Sequence, residues 1–272
     1  MPLPLPLLLE TLCSKIQTTD ANPLFWVNDE PTPEDLDHIL KQAKDSSPFD
    51  PLGLRKQTMD DLKQNKARLI TKRCAYAKVL AIVYKTTAPI PWDLFAKIFQ
   101  AFGKPKNQDW RLVWFANPAQ RLYPPIGQEP GAADVNGGYA TRCLPGTIVI
   151  YREEEVARVL VHELLHAACT DNMDDPVELI EAKTETWAEL FLIAILAQGK
   201  LRKANSLWKL QAQWIADQEY ILMHNYNILN KSNYVWRYTV GRRDILQGLG
   251  IDLPPPAPSK LSLRFTDPSL CL

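Results

Sequence analysis

The five residues His162-Glu163-Leu164-Leu165-His166 constrain this chain more than any other stretch. They lie in a run that reads as helix, and on a helix residues four apart stand one above the other on a single face. His162 and His166 can therefore each aim an imidazole nitrogen at one point, with Glu163 one residue round from the first. Two neutral nitrogen donors and a carboxylate at that spacing suit a zinc ion with a general base beside it. Catalytic zinc takes three protein ligands and keeps one position open, so a third ligand must come from elsewhere in the chain. The competing reading is an ordinary amphipathic helix that carries two of the chain's four histidines four apart by accident.

The stretch Glu181-Ala182-Lys183-Thr184-Glu185-Thr186-Trp187-Ala188-Glu189 offers candidates for that ligand. Glu181, Glu185 and Glu189 share a helix face, where like charges repel by roughly 0.2–0.5 kcal/mol per pair. A cation beside the column removes that repulsion; a solvated acidic stripe is the plainer alternative. Helix levels favour Glu181. The midpoint of the two histidines is Leu164, about six residues or roughly 9 Å before an expected helix end near Thr170. The same depth into a second helix that starts near Asp175 and folds back is Glu181. Glu185, one turn on, is then placed to accept a hydrogen bond from the other nitrogen of a ligating histidine.

HELLH followed by a helix carrying glutamate resembles the gluzincin branch of the zincin metallopeptidases, in which glutamate is the third ligand. Glu181 to Glu185 resembles the thermolysin-type EAxSD segment, whose glutamate binds zinc and whose acid four residues on supports a histidine. The larger block, VNGGYA, IVIYREEEVARVLVHELLH and EAKTETWAE, from Val135 to Glu189, is similar to metallopeptidases encoded by large DNA viruses. One departure stands out. Fourteen residues separate His166 from Glu181, fewer than in thermolysin-like enzymes or gluzincin aminopeptidases, whereas Glu185 gives the eighteen-residue gap of those aminopeptidases, and TETWAE is loosely similar to their NEGFA segment. Glu181 is preferred here, with Glu185 as the supporting acid or the alternative ligand.

The resemblance implies an α+β, mostly helical fold: a zincin-like core with a small β-sheet, and the HExxH helix packed against a following glutamate-bearing helix. It implies Zn2+ held by His162, His166 and Glu181, and hydrolysis of a peptide bond in a peptide or protein substrate with Glu163 as general base. Thr147 to Tyr151, or a neighbouring strand, would offer an edge for an extended peptide. His224, Tyr226 and Tyr238 are candidate oxyanion donors, although each better suits a core or surface position. From another class comes the alternative of a catalytically silent zincin-fold structural or interaction protein, packaged in a viral particle.

Along the chain, Thr32-Pro33-Glu34-Asp35 reads as a helix start, with Thr32 as N-cap, Pro33 at the first helical position and acids in the first turn. A long helical pattern with a bend is expected from Leu54 to Tyr84, and a helix from Trp92 to Phe102 closed by Gly103. Trp110 to Phe115 and Thr147 to Tyr151 read as strands. Val135 to Tyr139 is a third strand or its turn, with Gly137-Gly138 either a hairpin connection or a place where backbone approaches a ligand closely. Glu153, Glu154 and Glu155 suit the positive end of the HELLH helix. Further helices are expected from Pro176 to Gln198, Ala204 to Leu229 and Tyr234 to Gln247, with Trp187 and Trp208 in the core and His38 at a surface or half-buried position. The expected organisation is a helical region over 1–105, a zincin-like core over 106–200, C-terminal helices over 201–251 packing on that core, and a proline-rich tail over 252–272 without packing signals.

Lys+Arg and Asp+Glu both number 31, so the balance lacks the electrostatic footprint of a nucleic-acid binder and weighs against a protease that acts on DNA-linked proteins. No uninterrupted apolar stretch approaches 18 residues, so no membrane span is expected. The apolar start is broken by prolines and lacks the positive leading region of a signal peptide. Cys13, Cys74, Cys143, Cys169 and Cys271 form no CxxC pair, which predicts reduced thiols, with Cys169 a small buried residue. An intracellular, cytoplasmic setting is expected, or a virion if the chain is viral.

Overall fold

Ala77-Lys78-Val79-Leu80-Ala81-Ile82-Val83-Tyr84 is a strand, although its hydrophobic pattern continues the preceding helix. A short buried strand and a buried helical turn cannot be told apart by periodicity. The signals that separate them here are the β-branched residues Ile70, Thr71, Val79, Ile82 and Val83, and Asn65 in a left-handed conformation at φ 58°, which ends the helix. The computed structural model describes residues 5–19, 23–44, 47–258 and 262–270. The chain is α+β with a six-stranded mixed sheet, and it divides into two compact units interleaved in sequence.

The sheet unit comprises Asn22–Gln120 and Asn136–Thr170. Its strands are β1 (Val27–Asn28), β2 (Ala67–Arg73), β3 (Ala77–Tyr84), β4 (Trp110–Phe115), β5 (Gly138–Ala140) and β6 (Thr147–Ile150), in the order β1-β2-β3-β4-β6-β5. The first three are antiparallel, β3, β4 and β6 run parallel, and β5 returns antiparallel on β6. Region 1–105, expected to be helical, thus contributes three strands. The central strands are almost continuously apolar and buried because helices cover both faces. On one face Leu80, Ile82, Val113, Phe115 and Val149 pack against Ile39 and Ala43 of α2 (Pro33–Lys44) and Leu54 of α3 (Leu54–Lys63). On the other, α6 (Val156–Ala167) packs on β5, β6 and α4 (Trp92–Phe102), whose Phe95 meets Trp114 edge-on at 6.0 Å.

The α2 start forms as its sequence predicts. Thr32 Oγ1 accepts from the Asp35 N–H at 3.2 Å, and Asp35 Oδ2 accepts from the Thr32 N–H at 3.0 Å, a reciprocal cap that satisfies two otherwise orphaned donors.

The helical unit comprises Met1–Ala21, Arg121–Val135 and Asp171–Leu272. It holds α1 (Leu5–Thr19), α5 (Ala132–Val135), α7 (Val177–Leu196), α8 (Leu201–Tyr226), α9 (Val240–Gly248) and 3-10 turns at Tyr234–Tyr238 and Pro268–Leu270. Helix α7 packs against α1, α8, α9 and the Tyr234–Tyr238 turn. Gly241 makes the α9 contact possible: a Cβ there would lie 3.0 Å from Ala182 Cβ and from the Trp236 ring and carbonyl.

Residues 262–270 depart from the tail expected of them. Leu263 and Phe265 are buried in the core with Ala182, Leu222 and Val240. The Phe265 carbonyl accepts from Arg242 and Gln211, and that of Arg264 from Trp214 and Gln218. The Pro254-Pro255-Pro256 run, whose Pro255 carbonyl accepts from Gln213, precedes this segment, and the short alternation Leu261-Ser262-Leu263-Arg264-Phe265 beyond it is its signal of burial in the sequence. No helix among the described residues is long and apolar enough to cross a membrane.

Candidate metal centre

Helix α6 is buried along nearly its whole length, so its polar residues must be there for a reason other than solvation. His162, Glu163 and His166 are 6%, 6% and 4% exposed. The two Nε2 atoms face one another at 3.0 Å, with the rings edge to face at 4.6 Å and 80°. Two imidazole nitrogens bound to one tetrahedral zinc at 2.0–2.1 Å would stand about 3.3 Å apart, so the pair is already close to that separation. His38, by contrast, is half-buried on α2, where burial and then the charges of Arg111 and Lys41 hold it below the usual histidine range.

Three features fix α6 in place, none of them carried by the HELLH letters. Gly138 on β5 lies under the helix: a Cβ there would fall 2.7 Å from Val159 Cγ1, 2.9 Å from the Val149 carbonyl and 3.3 Å from Glu163 Oε1. Gly137-Gly138 is therefore not the hairpin connection, which lies at 141–146; the close approach is by the Glu163 helix itself. Arg152, fully buried, donates to the carbonyls of Asn136 at 2.8 Å and Ala119 at 3.0 Å, joining the entry to β5 to the entry to α6. The acids before the helix act differently from expectation: Glu155 takes a left-handed conformation at φ 61° and makes no side-chain cap, and Glu153 Oε1 accepts from the Ala88 N–H.

The third feature is a disulfide between Cys143 and Cys169. It corrects the expectation of reduced thiols and of a buried Cys169, which is exposed. The two residues lie 26 apart without a CxxC pattern, so only the return of the chain through β6 and α6 reveals the pair. Cys13 and Cys74 remain free and buried.

In the helical unit, α7 carries Glu181, Glu185 and Glu189, all largely buried rather than forming a solvated stripe. Glu189 Oε1 accepts from Thr266 Oγ1 at 3.1 Å. The start of α7 is fastened by Lys183 to Asp175 at 2.6 Å, Thr184 to Asp171 at 3.1 Å and Arg237 to Glu178 at 3.2 Å. Tyr238 senses Glu181. Burial first, then the negative charge of that carboxylate, pushes its hydroxyl well above the usual tyrosine value. Tyr226 instead donates to the Pro124 carbonyl at 2.7 Å and stacks on Tyr123. His224 is exposed near the end of α8, stacked on Tyr220 with Nδ1 2.8 Å from the Tyr220 carbonyl.

The sheet unit thus offers two imidazole nitrogens, of His162 and His166, and the helical unit a carboxylate oxygen, of Glu181, donor types that a metal ion takes. That donor set fits zinc. No family model matches the chain, and no curated protein or solved structure matches it either.

Proposed function

We propose that the chain is a zinc-dependent peptidase of the zincin type, gluzincin-like, in which His162, His166 and Glu181 hold the ion and Glu163 is the general base. The observation that carries this reading is the pair of buried imidazole nitrogens facing one another on α6, with Glu163, also buried, next in the chain to the first of them. When bound, zinc supplies a Lewis acid that polarises the scissile carbonyl and brings the pKa of water toward neutrality. Glu163 takes a proton from the attacking water and delivers it to the leaving amine, a transfer that contributes roughly 10²–10⁴-fold in rate.

The extended substrate pairs along β5. Thr147 to Ile150, one of the expected edges, lies between β4 and β5, so the outer position belongs to its neighbour. Because the Tyr151 N–H bonds the Gly137 carbonyl at 2.8 Å, alternation along the antiparallel pair turns the N–H and C=O of Gly138 and Ala140 outward. Gly138 thus serves twice, offering peptide groups to a substrate and leaving room for Glu163. Tyr226 and His224 are engaged elsewhere, which leaves Tyr238, on the turn that packs against α7, as the donor to the developing oxyanion.

Elemental analysis of metal-replete protein should give one zinc per chain, and Glu163→Gln should retain that zinc and the fold while losing hydrolysis of a peptide library by two to four orders of magnitude, as roughly expected for loss of a general base. Absence of any transition metal would sink the reading. Zinc without turnover in the parent would leave a metal-stabilised scaffold.

A further inference from the structure

We propose that the Cys143–Cys169 disulfide is a positioning clamp on the metal-binding end of α6, and that external thiols acting on it set how tightly the chain holds its ion. The inference rests on the zinc reading above. His166 is the next-to-last residue of α6, in the turn whose carbonyls have no partner within the helix and which frays first. Its carbonyl is held from both sides of the clamp: the Cys143 N–H donates to it at 2.9 Å and the Cys169 N–H at 3.1 Å. One covalent bond therefore ties the β5–β6 connection, the helix end and the backbone of a ligand into a single piece. His162, four residues earlier, sits mid-helix and needs no such help.

Both cysteines adopt left-handed backbone conformations, φ 54° and 63°, which residues with a side chain hold only when the surroundings over-determine them. Removing the cross-link frees both positions to relax, and with them the two donors to His166. Access fits the role as well. Cys169 is exposed and Cys143 half-buried, whereas the free Cys13 and Cys74 are buried. In the reductive step two external thiols give up two electrons and two protons. The Cys143–Cys169 S–S bond breaks, each sulfur leaves as a thiol, and the external pair departs joined as a disulfide.

The test uses the full chain equilibrated with oxidised or reduced glutathione, desalted, and titrated with zinc against a chromophoric chelator, with far-UV circular dichroism to show that both forms are folded. Alkylation under denaturing conditions should label two more cysteines after reduction than in the oxidised form. Zinc affinity should fall roughly 10–100-fold on reduction, the range seen when a group that orients a ligand is lost. The Cys143→Ser/Cys169→Ser variant should show the weakened affinity in both buffers and no response to glutathione, which excludes chelation by the reductant as the cause. Equal labelling of the two forms, or equal or tighter zinc binding after reduction, overturns the clamp and leaves the metal reading intact. Failure of every form to bind zinc overturns both.

Discussion

The two units bury their polar site residues by different means. In the sheet unit His162, Glu163 and His166 ride on a helix backed by strands, and its supports lie at three places: a glycine with no side chain beneath Glu163, a buried arginine hydrogen-bonded to backbone carbonyls at one end, a disulfide at the other. In the helical unit Glu181, Glu185 and Glu189 lie among helices, and such support as Glu189 has from Thr266 is a hydrogen bond. The difference follows from what is being buried. A neutral imidazole loses less on leaving water than a carboxylate, which loses on the order of several kcal/mol unless donors or a cation replace its hydration. The sheet unit thus supplies the imidazole half of the proposed ligand set and the helical unit its charged half.

The largest effect should come from the charged half. Glu181→Ala removes a proposed ligand outright and should weaken zinc by more than the roughly 10–100-fold expected of Glu185→Ala, an acid that orients a histidine. Chelator competition on the two variants decides between them. If Glu185→Ala loses zinc first, the eighteen-residue spacing was the better guide and the helix-level estimate was wrong.

Packing in the two units can be compared through one glycine in each. Gly138→Ala should cost about 1–3 kcal/mol by overpacking, read as a shift in urea midpoint, because one clash is with the backbone carbonyl of Val149, which cannot rotate away. Gly241→Ala meets its nearest atoms at 3.0 Å and should cost less. A reversed order would show that the α7–α9 contact is the more rigid of the two.

The smallest effect concerns acid stability in the sheet unit. Burial pushes the Asp35 carboxyl up, but the Lys78 hydrogen bond, the Thr32 N–H and the charges of Lys78 and Arg111 outweigh it and hold the group below the usual aspartate range. A depressed folded value gives stability that is present above the unfolded value near about 3.9 and is lost as pH falls through the folded one. Asp35→Asn should therefore be less stable than the parent at pH 7 and show a flatter decline below about pH 4. Parallel acid limbs in the two proteins would remove Asp35 from the account.

Much of the scaffold was legible because its signals are local. Thr32 and Pro33 announce α2, Gly103 closes α4, and the aromatic and β-branched runs at 110–115 and 147–150 are strands as read. Legibility failed where local signals compete. Residues 67–84 are apolar enough for either helix or strand, and hydrogen-bonding neighbours in β1 and β4 decide for strand. Leu263 and Phe265 carry a signal, the apolar/polar alternation Leu261-Ser262-Leu263-Arg264-Phe265, but it is short and follows a proline run that reads as a tail.

By itself the sequence determined the chemistry available at one helix: two imidazoles four apart and a glutamate between them are set by the 3.6-residue turn, which needs no distant contact. It also offered three glutamates on one face, among which helix levels favour Glu181; what surrounds each carboxylate was beyond its reach. Only the tertiary structure showed that β5 is the outer strand, that Gly138 makes room for Glu163, and that Cys143 meets Cys169. Each of these joins residues separated by 8 to 26 positions in the chain, and such pairs are fixed by how sheet and helices pack.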